Sequence, residues 1–253
     1  MKPYAFFLDI DGTLLAKGGV PEENIKAIKE AHDKGHFVLL NTGRSYHTIS
    51  EPIRTCAPFD GIVSSLGADI RVHGKQVMLK RIPFETCCAL LELFHSMPEE
   101  NLYLRGETQN FCTNPNKAFG STIYIESVEQ FKKEYSDVAV NKITTTYVTD
   151  RSVFEPFLSE FTMYYHPTYY EGALKGCNKA IGMELAAKEL GVPIERCVAI
   201  GDSANDAEML TAAGIAVVMG NYDAGTEKYA DFITDAAENA GVAKAIRKLT
   251  EEN

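Results

Sequence analysis

Two carboxylates stand two residues apart in Asp9-Ile10-Asp11-Gly12-Thr13, directly after the uncharged, aromatic-rich run Tyr4 to Leu8. Such a run predicts a buried strand. A strand alternates its faces, so Asp9 and Asp11 share one side only while the chain stays extended. Gly12 lets the backbone turn and approach a ligand closely. Two acids and a turn at the C-terminal end of a buried strand suit a hard cation and phosphoryl or acyl chemistry. Taken alone the pattern is equally an ordinary turn, because Asp and Gly favour turns.

Three further polar clusters follow apolar strands or open a helix. They are Thr42-Gly43-Arg44 after Phe37 to Leu40, Lys179 in the first turn of a helix, and Gly201-Asp202-Ser203-Ala204-Asn205-Asp206 after Cys197 to Ile200. In an open parallel sheet the strand C-termini share one edge, and ligands bind there. Lys179 gains nothing from a helix N-terminus, where the dipole favours anions, so its placement suggests another task. Asp9, Asp202 and either Asp206 or Asn205 supply oxygen ligands for a small hard divalent ion, best fitted by Mg²⁺. A metal and a lysine neutralise an incoming phosphate that acids alone would reject. Thr42 offers a hydroxyl and a strand-end N–H to phosphate oxygens. An aspartate can attack phosphorus, and a second acid can protonate the leaving oxygen and later activate water. Singly, Thr42 is a turn residue, Lys179 a solvated helix residue and the run after Gly201 a capping turn. Their joint order and strand contexts argue for one site.

The elements that position these groups are legible from periodicity. A strand over Tyr4 to Ile10, a helix from Pro21 to Gly35, and strands at Phe37 to Leu40 and Gly61 to Val63 enclose a shorter helix over Ser45 to Ile53. Alternating strand and helix with apolar strands predicts a parallel sheet covered on both faces. Asp69 to Val72 and Gln76 to Leu79 flank His73-Gly74-Lys75 as a hairpin. Residues 84–97 read as a helix stopped by Pro98. The stretch 101–170 is rich in Tyr, Thr and Phe, with strands expected at Ser121 to Ile125, Lys142 to Val148 and Thr162 to Tyr165. Helices are expected at Ser127 to Tyr135 and Ser152 to Phe161. The alternation returns with a helix over Asn178 to Leu190, a strand over Cys197 to Ile200, a helix over Glu208 to Ala213, a strand over Ile215 to Val218 and a helix over Val242 to Leu249. The expected fold is α/β: a Rossmann-like parallel-sheet core over residues 1–82 and 175–253, with an inserted α+β cap domain over 83–174.

Composition narrows the partners. The 253 residues are 45% hydrophobic and 24% charged, as in ordinary globular proteins. A net charge of −10 with scattered Lys and Arg argues against a nucleic-acid role. The six cysteines show no C-x-x-C spacing, which excludes a zinc pattern and predicts reduced packing residues in a cytoplasmic protein. Met1-Lys2-Pro3 leads straight into a strand without signal-peptide architecture. No apolar run approaches the roughly 18 residues that span a bilayer, so no membrane role is expected.

Asp9-x-Asp11-Gly-Thr, Thr42-Gly43-Arg44, Lys175-Gly176-x-x-Lys179 and Gly201-Asp202-Ser203-x-Asn205-Asp206 resemble, in order, the four motifs of the haloacid dehalogenase superfamily. The large insert between the second and third motifs resembles the Cof-like, type IIB sugar-phosphatase branch. The resemblance spans the chain and implies a Mg²⁺-dependent phosphatase acting through an aspartyl-phosphate. Asp9 would be the nucleophile and a metal ligand. Asp11 would be the general acid/base and would give its backbone carbonyl to the metal. Thr42, Gly43 and Lys179 would hold the transferring phosphoryl group. Asp202 would be the third metal contact, with Asn205 and Asp206 completing or orienting that shell. Arg44 would reach the substrate phosphate. Asp11 argues against a dehalogenase, since those members lack an acid at this place. The cap would act as a lid that excludes water and sets specificity, with Arg105, Asn110 and the tyrosine-rich run 164–171 as candidate loops.

The implied partner is a small phosphorylated metabolite, with no obligate protein partner. A sugar phosphate, pyridoxal phosphate or flavin mononucleotide would each suit a polar and aromatic lining. A phosphomutase or phosphotransferase would use the same intermediate, and a phospho-accepting receiver-like module would use similar strand-end residues. A simple receiver needs only about half this length, however, and an inserted lid suits turnover.

Overall fold

The computed structural model describes residues 2–118 and 120–251. Met1 and residues 252 and 253, which the expected core includes, lie outside the described residues. The chain divides into two compact units. One holds residues 1–44, 49–78 and 178–253, and the other residues 45–48 and 79–177. The crossings at 78/79 and 177/178 fall a few residues from those expected at 82/83 and 174/175.

In chain order, the first unit opens with β1 (Ala5–Leu8), α1 (Glu22–Asp33), β2 (Phe37–Asn41), α2 (Glu51–Thr55), β3 (Gly61–Ser64), β4 (Asp69–Val72) and β5 (Lys75–Leu79). The insert follows with α3 (Phe84–His95), β6 (Leu102–Gly106), β7 (Asn110–Cys112), β8 (Thr122–Tyr124), α4 (Val128–Glu134), β9 (Val140–Thr146), β10 (Phe161–Tyr165) and β11 (Tyr169–Leu174). The chain returns through α5 (Lys179–Leu190), β12 (Cys197–Gly201), α6 (Ala207–Ala212), β13 (Ile215–Val218), β14 (Phe232–Ile233) and α7 (Gly241–Glu251).

The core sheet runs β14-β13-β12-β1-β2-β3-β4-β5. It is parallel from β14 to β3 and turns antiparallel at β4. Strand alternation sorts its apolar side chains onto two faces. Phe6, Leu8, Val38, Leu40, Val198 and Ile200 pack with Ala27, Ile28, Val242 and Ile246 of α1 and α7. Ala5, Phe7, Leu39, Ala199, Ala216 and Val218 pack with Met183, Ala186, Met209 and Leu210 of α5 and α6. Both faces are therefore dry, and polar groups concentrate where the strands end. β1 lies between β2 and β12, so the chain leaves it toward one side and returns on the other. That reversal opens a crevice at the strand C-termini. Among the described residues no helix is long and apolar enough to cross a membrane.

The insert forms its own six-stranded sheet, ordered β10-β11-β9-β6-β7-β8. Leu102, Leu104, Phe111, Ile143, Phe161 and Tyr170 are buried on one face. Helix α3 packs on β6, and Phe131 of α4 meets Phe111 edge-on at 5.3 Å. The opposite face carries Tyr103, Arg105, Asn110, Lys142, Thr144 and Glu171, which follow from the register.

Several expectations are corrected. The helix expected over Ser45 to Ile53 is a single turn at Tyr46–Thr48 followed by α2. Proline is tolerated only in a first helical turn, so Pro52 forces the helix to restart beside it. The helix expected over Ser152 to Phe161 is a 3₁₀ stretch, Arg151–Phe157, that contains Pro156 and yields to β10. Arg105 and Asn110, expected in loops, face each other across paired β6 and β7. The tyrosine-rich run forms β10, the turn after it and the start of β11, and Tyr170 is fully buried among Tyr147, Phe154 and Tyr165.

An insert with its own sheet and core should fold alone. Residues 79–177, expressed separately, are expected to give a mixed α/β circular dichroism spectrum and one cooperative thermal transition. A broad, non-cooperative melt would contradict a self-contained unit.

Candidate active site

The ends of β1, β2 and β12 and the start of α5 deliver polar side chains to one edge of the core sheet. Asp9 follows the last residue of β1, and its N–H continues the ladder to Ile200 O at 3.0 Å. Its carboxylate is buried, and Oδ1 accepts from Lys179 Nζ at 2.8 Å. Lys179 is wholly buried and uses its remaining donors on Asn205 Oδ1 at 2.8 Å and Asp206 Oδ1 at 2.6 Å. An ammonium has three N–H donors, so Lys179 is saturated by these partners. The Asn178 side chain caps α5 by accepting from Ile181 N–H at 2.8 Å. Asn41, at the end of β2, donates to Lys179 O at 2.9 Å and so ties that strand to the helix.

Asp206 is wholly buried. Its Oδ2 accepts from the backbone N–H groups of Asp202 and Ser203, each at 3.0 Å. A Cβ at Gly201 would overlap the Asp206 carboxylate, which explains glycine there. Asp202 accepts from the Thr13 hydroxyl at 2.8 Å. Gly12, with φ +76°, lies so close beneath Asp202 that any Cβ would strike its carboxylate. Asn221, beyond the end of β13, donates to Gly12 O at 2.8 Å and accepts from Ala237 N–H at 2.8 Å. Thr13, Asn41 and Asn221 join the candidate site residues: Asn41 ends an apolar strand, the signal that marks Asp9 and Asp202, whereas Thr13 and Asn221 lie in the loops that follow β1 and β13.

The second motif departs from expectation in one respect. Thr42 is buried, but its N–H donates to Val63 O at 2.9 Å and extends the ladder with β3. The group it can offer an anion is therefore the hydroxyl, which here accepts from Arg44 N–H at 3.2 Å. Gly43 bends the chain between them. Arg44 reaches back to Asp11 in a bidentate pair, Nε to Oδ2 at 2.8 Å and Nη2 to Oδ1 at 2.5 Å. The Asp11 side chain is 58% exposed and stands outside the group formed by Asp9, Asp202 and Asp206. Arg105 and Asn110 belong to the insert. Arg105 lies over the Tyr103 ring at 4.1 Å, and the buried Asn110 leaves its Oδ1 without a partner.

Charge is unbalanced in this interior. Asp9, Asp202 and Asp206 each place a carboxylate oxygen within 4.8 Å of the others, against the one ammonium of Lys179. Burial pushes the Asp9 carboxyl up to about 8, and Asp206 and Asp202 add to the rise against the pull of Lys179. Burial and the Asp206 charge push Asp202 up to about 7, with the Thr13 hydrogen bond opposing. Burial alone would depress Lys179, but Asp206 and Asp9 outweigh it and hold the ammonium above its ordinary range. An all-oxygen donor set with excess negative charge fits a hard divalent cation, which would relieve the repulsion.

Residues 6–246 match the family model described as haloacid dehalogenase-like hydrolase. A Bacillus subtilis protein named as a 5-amino-6-(5-phospho-D-ribitylamino)uracil phosphatase is 29% identical over 245 residues, covering 95% of this chain and 93% of its own. A solved phosphatase of the haloalkanoate enzyme superfamily from Bacteroides thetaiotaomicron is 26% identical, with TM-score 0.81 over 97% of this chain and 94% of its own. A solved subclass IIB sugar phosphatase shares the fold with TM-score 0.83 at 24% identity, over 97% of this chain and 98% of its own.

The raised carboxyl values fix a sign. Without metal, the folded state retains protons on Asp9 and Asp202 that the unfolded chain, with carboxylates titrating near 4, has released. Their contribution to stability therefore falls as pH rises from about 4 to about 8. Metal ligation needs the ionised oxygens, so binding should release protons and tighten with rising pH over that window. Calorimetry of metal binding in buffers of different ionisation enthalpy should show a buffer-dependent heat, reduced in the Asp202→Asn variant. A buffer-independent heat would contradict the protonation of these acids.

Proposed function

The chain belongs to the haloacid dehalogenase-like hydrolases and is a phosphatase of that family, and from that premise we propose that it hydrolyses small phosphomonoesters with Mg²⁺ through an aspartyl-phosphate on Asp9. The observation that carries this reading is the Asp9 carboxylate, held at a buried strand tip by Lys179 within a group of three acids.

Each residue has a distinct task. Asp9 presents an oxygen to phosphorus, and as that bond forms the ester P–O bond breaks. Asp11 delivers a proton to the departing alcohol oxygen, then takes one from the water that attacks phosphorus and releases inorganic phosphate and Asp9. Asp11 must leave its pair with Arg44 to do so, which frees the guanidinium for the substrate's phosphate oxygens. The Thr42 hydroxyl holds the phosphoryl oxygens together with the Lys179 ammonium, which must give up one of its three present acceptors to do so, and Gly43 gives the loop room. Bound Mg²⁺, held by Asp9, Asp202 and the Asp11 main-chain carbonyl, would neutralise the clustered charge and polarise the phosphoryl group. Asn205 and Asp206 orient this arrangement through Lys179 and the 202–203 backbone, a role their hydrogen bonds favour over direct ligation.

The substrate class we infer is a phosphorylated sugar or sugar-alcohol derivative. The name of the Bacillus subtilis relative supports it, and so does the polar face of the insert, where Arg105 and Asn110 are the proposed selecting groups. Six unpaired cysteines support a reducing, cytoplasmic setting.

The Asp9→Asn variant is expected to stay folded and lose at least about a thousandfold in turnover. Phosphate release from a panel of phosphorylated metabolites, with deamidation excluded by mass, measures this. Activity within tenfold of wild type would remove Asp9 from the nucleophile's role. Excess chelator should abolish release and added Mg²⁺ restore it, while full activity in a preparation shown to be metal-free would exclude the cation. Isomerised or transferred phosphate in place of free phosphate would indicate a mutase or transferase.

A further inference from the structure

The turn between β3 and β4 is built from three consecutive left-handed residues. Ser65, Leu66 and Gly67 have φ of 52°, 54° and 84°. Glycine adopts this region freely, but serine and leucine rarely do. Ser65 and Leu66 are also buried, so solvent does not ease the conformation. Backbone strain of this kind persists only where its surroundings over-determine it.

Those surroundings are two segments of the candidate site. On one side, Ser65 N–H donates to Arg44 O at 2.7 Å and Leu66 N–H to Thr42 O at 3.2 Å. On the other, Gly67 lies against the main chain of Asn178, the cap of α5, and a Cβ there would overlap Asn178 O. Gly182, in the first turn of α5, has no room for a Cβ against Val63. Lys179 is the first residue of that helix. The turn thus touches the Thr42–Arg44 loop with its donors and the Lys179 helix with its glycine. An ordinary right-handed conformation at Ser65 and Leu66 would re-aim the Leu66 N–H and carry Gly67 away from Asn178.

We propose that the Ser65–Leu66–Gly67 turn is a positioning wedge, which sets the Lys179 ammonium against the Thr42 hydroxyl and so fixes the width of the phosphoryl-binding pocket. This rests on the reading of Thr42 and Lys179 as the pair that holds the phosphoryl group. The wedge is a positioning element rather than a binding one. It acts through the two segments it separates, and its strain is retained because a relaxed turn would misplace both.

The test uses the full chain and inorganic phosphate as the probe, read as product inhibition, beside kcat, Mg²⁺ affinity and melting temperature. Gly67→Ala forces a Cβ onto Asn178 O. Gly214→Ala is the control, because its Cβ would overlap Glu195 O in the turn that precedes β12, at the opposite edge of the core sheet. Both variants should melt at lower temperature. Only Gly67→Ala should weaken phosphate inhibition, by about tenfold or more, and lower kcat at least as far, with Mg²⁺ affinity held within about threefold. Wild-type phosphate inhibition in Gly67→Ala, or equal losses in the two glycine variants, would overturn the wedge. Lys179→Ala separates the parent reading: wild-type phosphate inhibition there would sink the pair itself, whatever Gly67→Ala does. If Gly67→Ala does not fold, Gly182→Ala pushes the same helix from Val63. Adding Val63→Ala should then restore phosphate inhibition, and no restoration would overturn the proposal.

Discussion

Asp9, Asp202 and Asp206 crowd their carboxylates around a single buried ammonium, and the surrounding structure is arranged to make that crowding possible. Isolated buried charges are costly, and a buried pair repays its desolvation only when its hydrogen bonds are complete. Here Lys179 completes all three of its donors on Asp9, Asn205 and Asp206. Asp206 completes its other oxygen on two backbone N–H groups. Lys179 also stands at a helix N-terminus, where the helix dipole opposes a cation. Nothing local favours it there, so the acids hold it and it holds them. Gly12 and Gly201 follow from the same constraint, since each gives a carboxylate the space a side chain would take.

The topology brings these groups together from both ends of the chain. Asp9 and Thr42 belong to the first 44 residues, while Lys179, Asp202 and Asp206 lie beyond the insert. β1 at the centre of the sheet, flanked by β2 and β12, aligns their strand ends on one edge. Dry packing on both faces makes those strands rigid, and rigid strands hold the side chains at their ends in fixed relation. The insert interrupts the chain after the hairpin strand β5 and before α5, so the central parallel strands remain contiguous.

Much of this was legible because apolar strands end abruptly in polar residues. Asp9, Thr42 and Asp202 stand at such boundaries while Lys179 opens a helix, and a parallel sheet has only one edge on which strand C-termini meet. The pair between Asp11 and Arg44 was not legible, since it depends on how two loops bend after their strands. The sequence does not show that the Thr42 N–H is engaged, because one more ladder bond continues past the end of β2. The left-handed Ser65–Gly67 turn gave no signal beyond a single glycine, because serine and leucine do not advertise positive φ. In the insert, β8 lies within the strand expected over Ser121 to Ile125, whereas β7 has three residues and no flanking alternation to register. Pro52 and Pro156 stand in the sequence, and each divides the helix that periodicity predicts around it.

The central claim is that Asp9 carries the phosphoryl group during turnover. An acyl phosphate is reduced by borohydride to an alcohol, whereas a free carboxylate is not. The enzyme should be quenched during turnover of a phosphomonoester it hydrolyses, treated with borohydride, digested and analysed by mass spectrometry. The expected result is a substrate-dependent reduction confined to position 9, absent without Mg²⁺. Reduction at another aspartate, or none during demonstrable turnover, would contradict the claim.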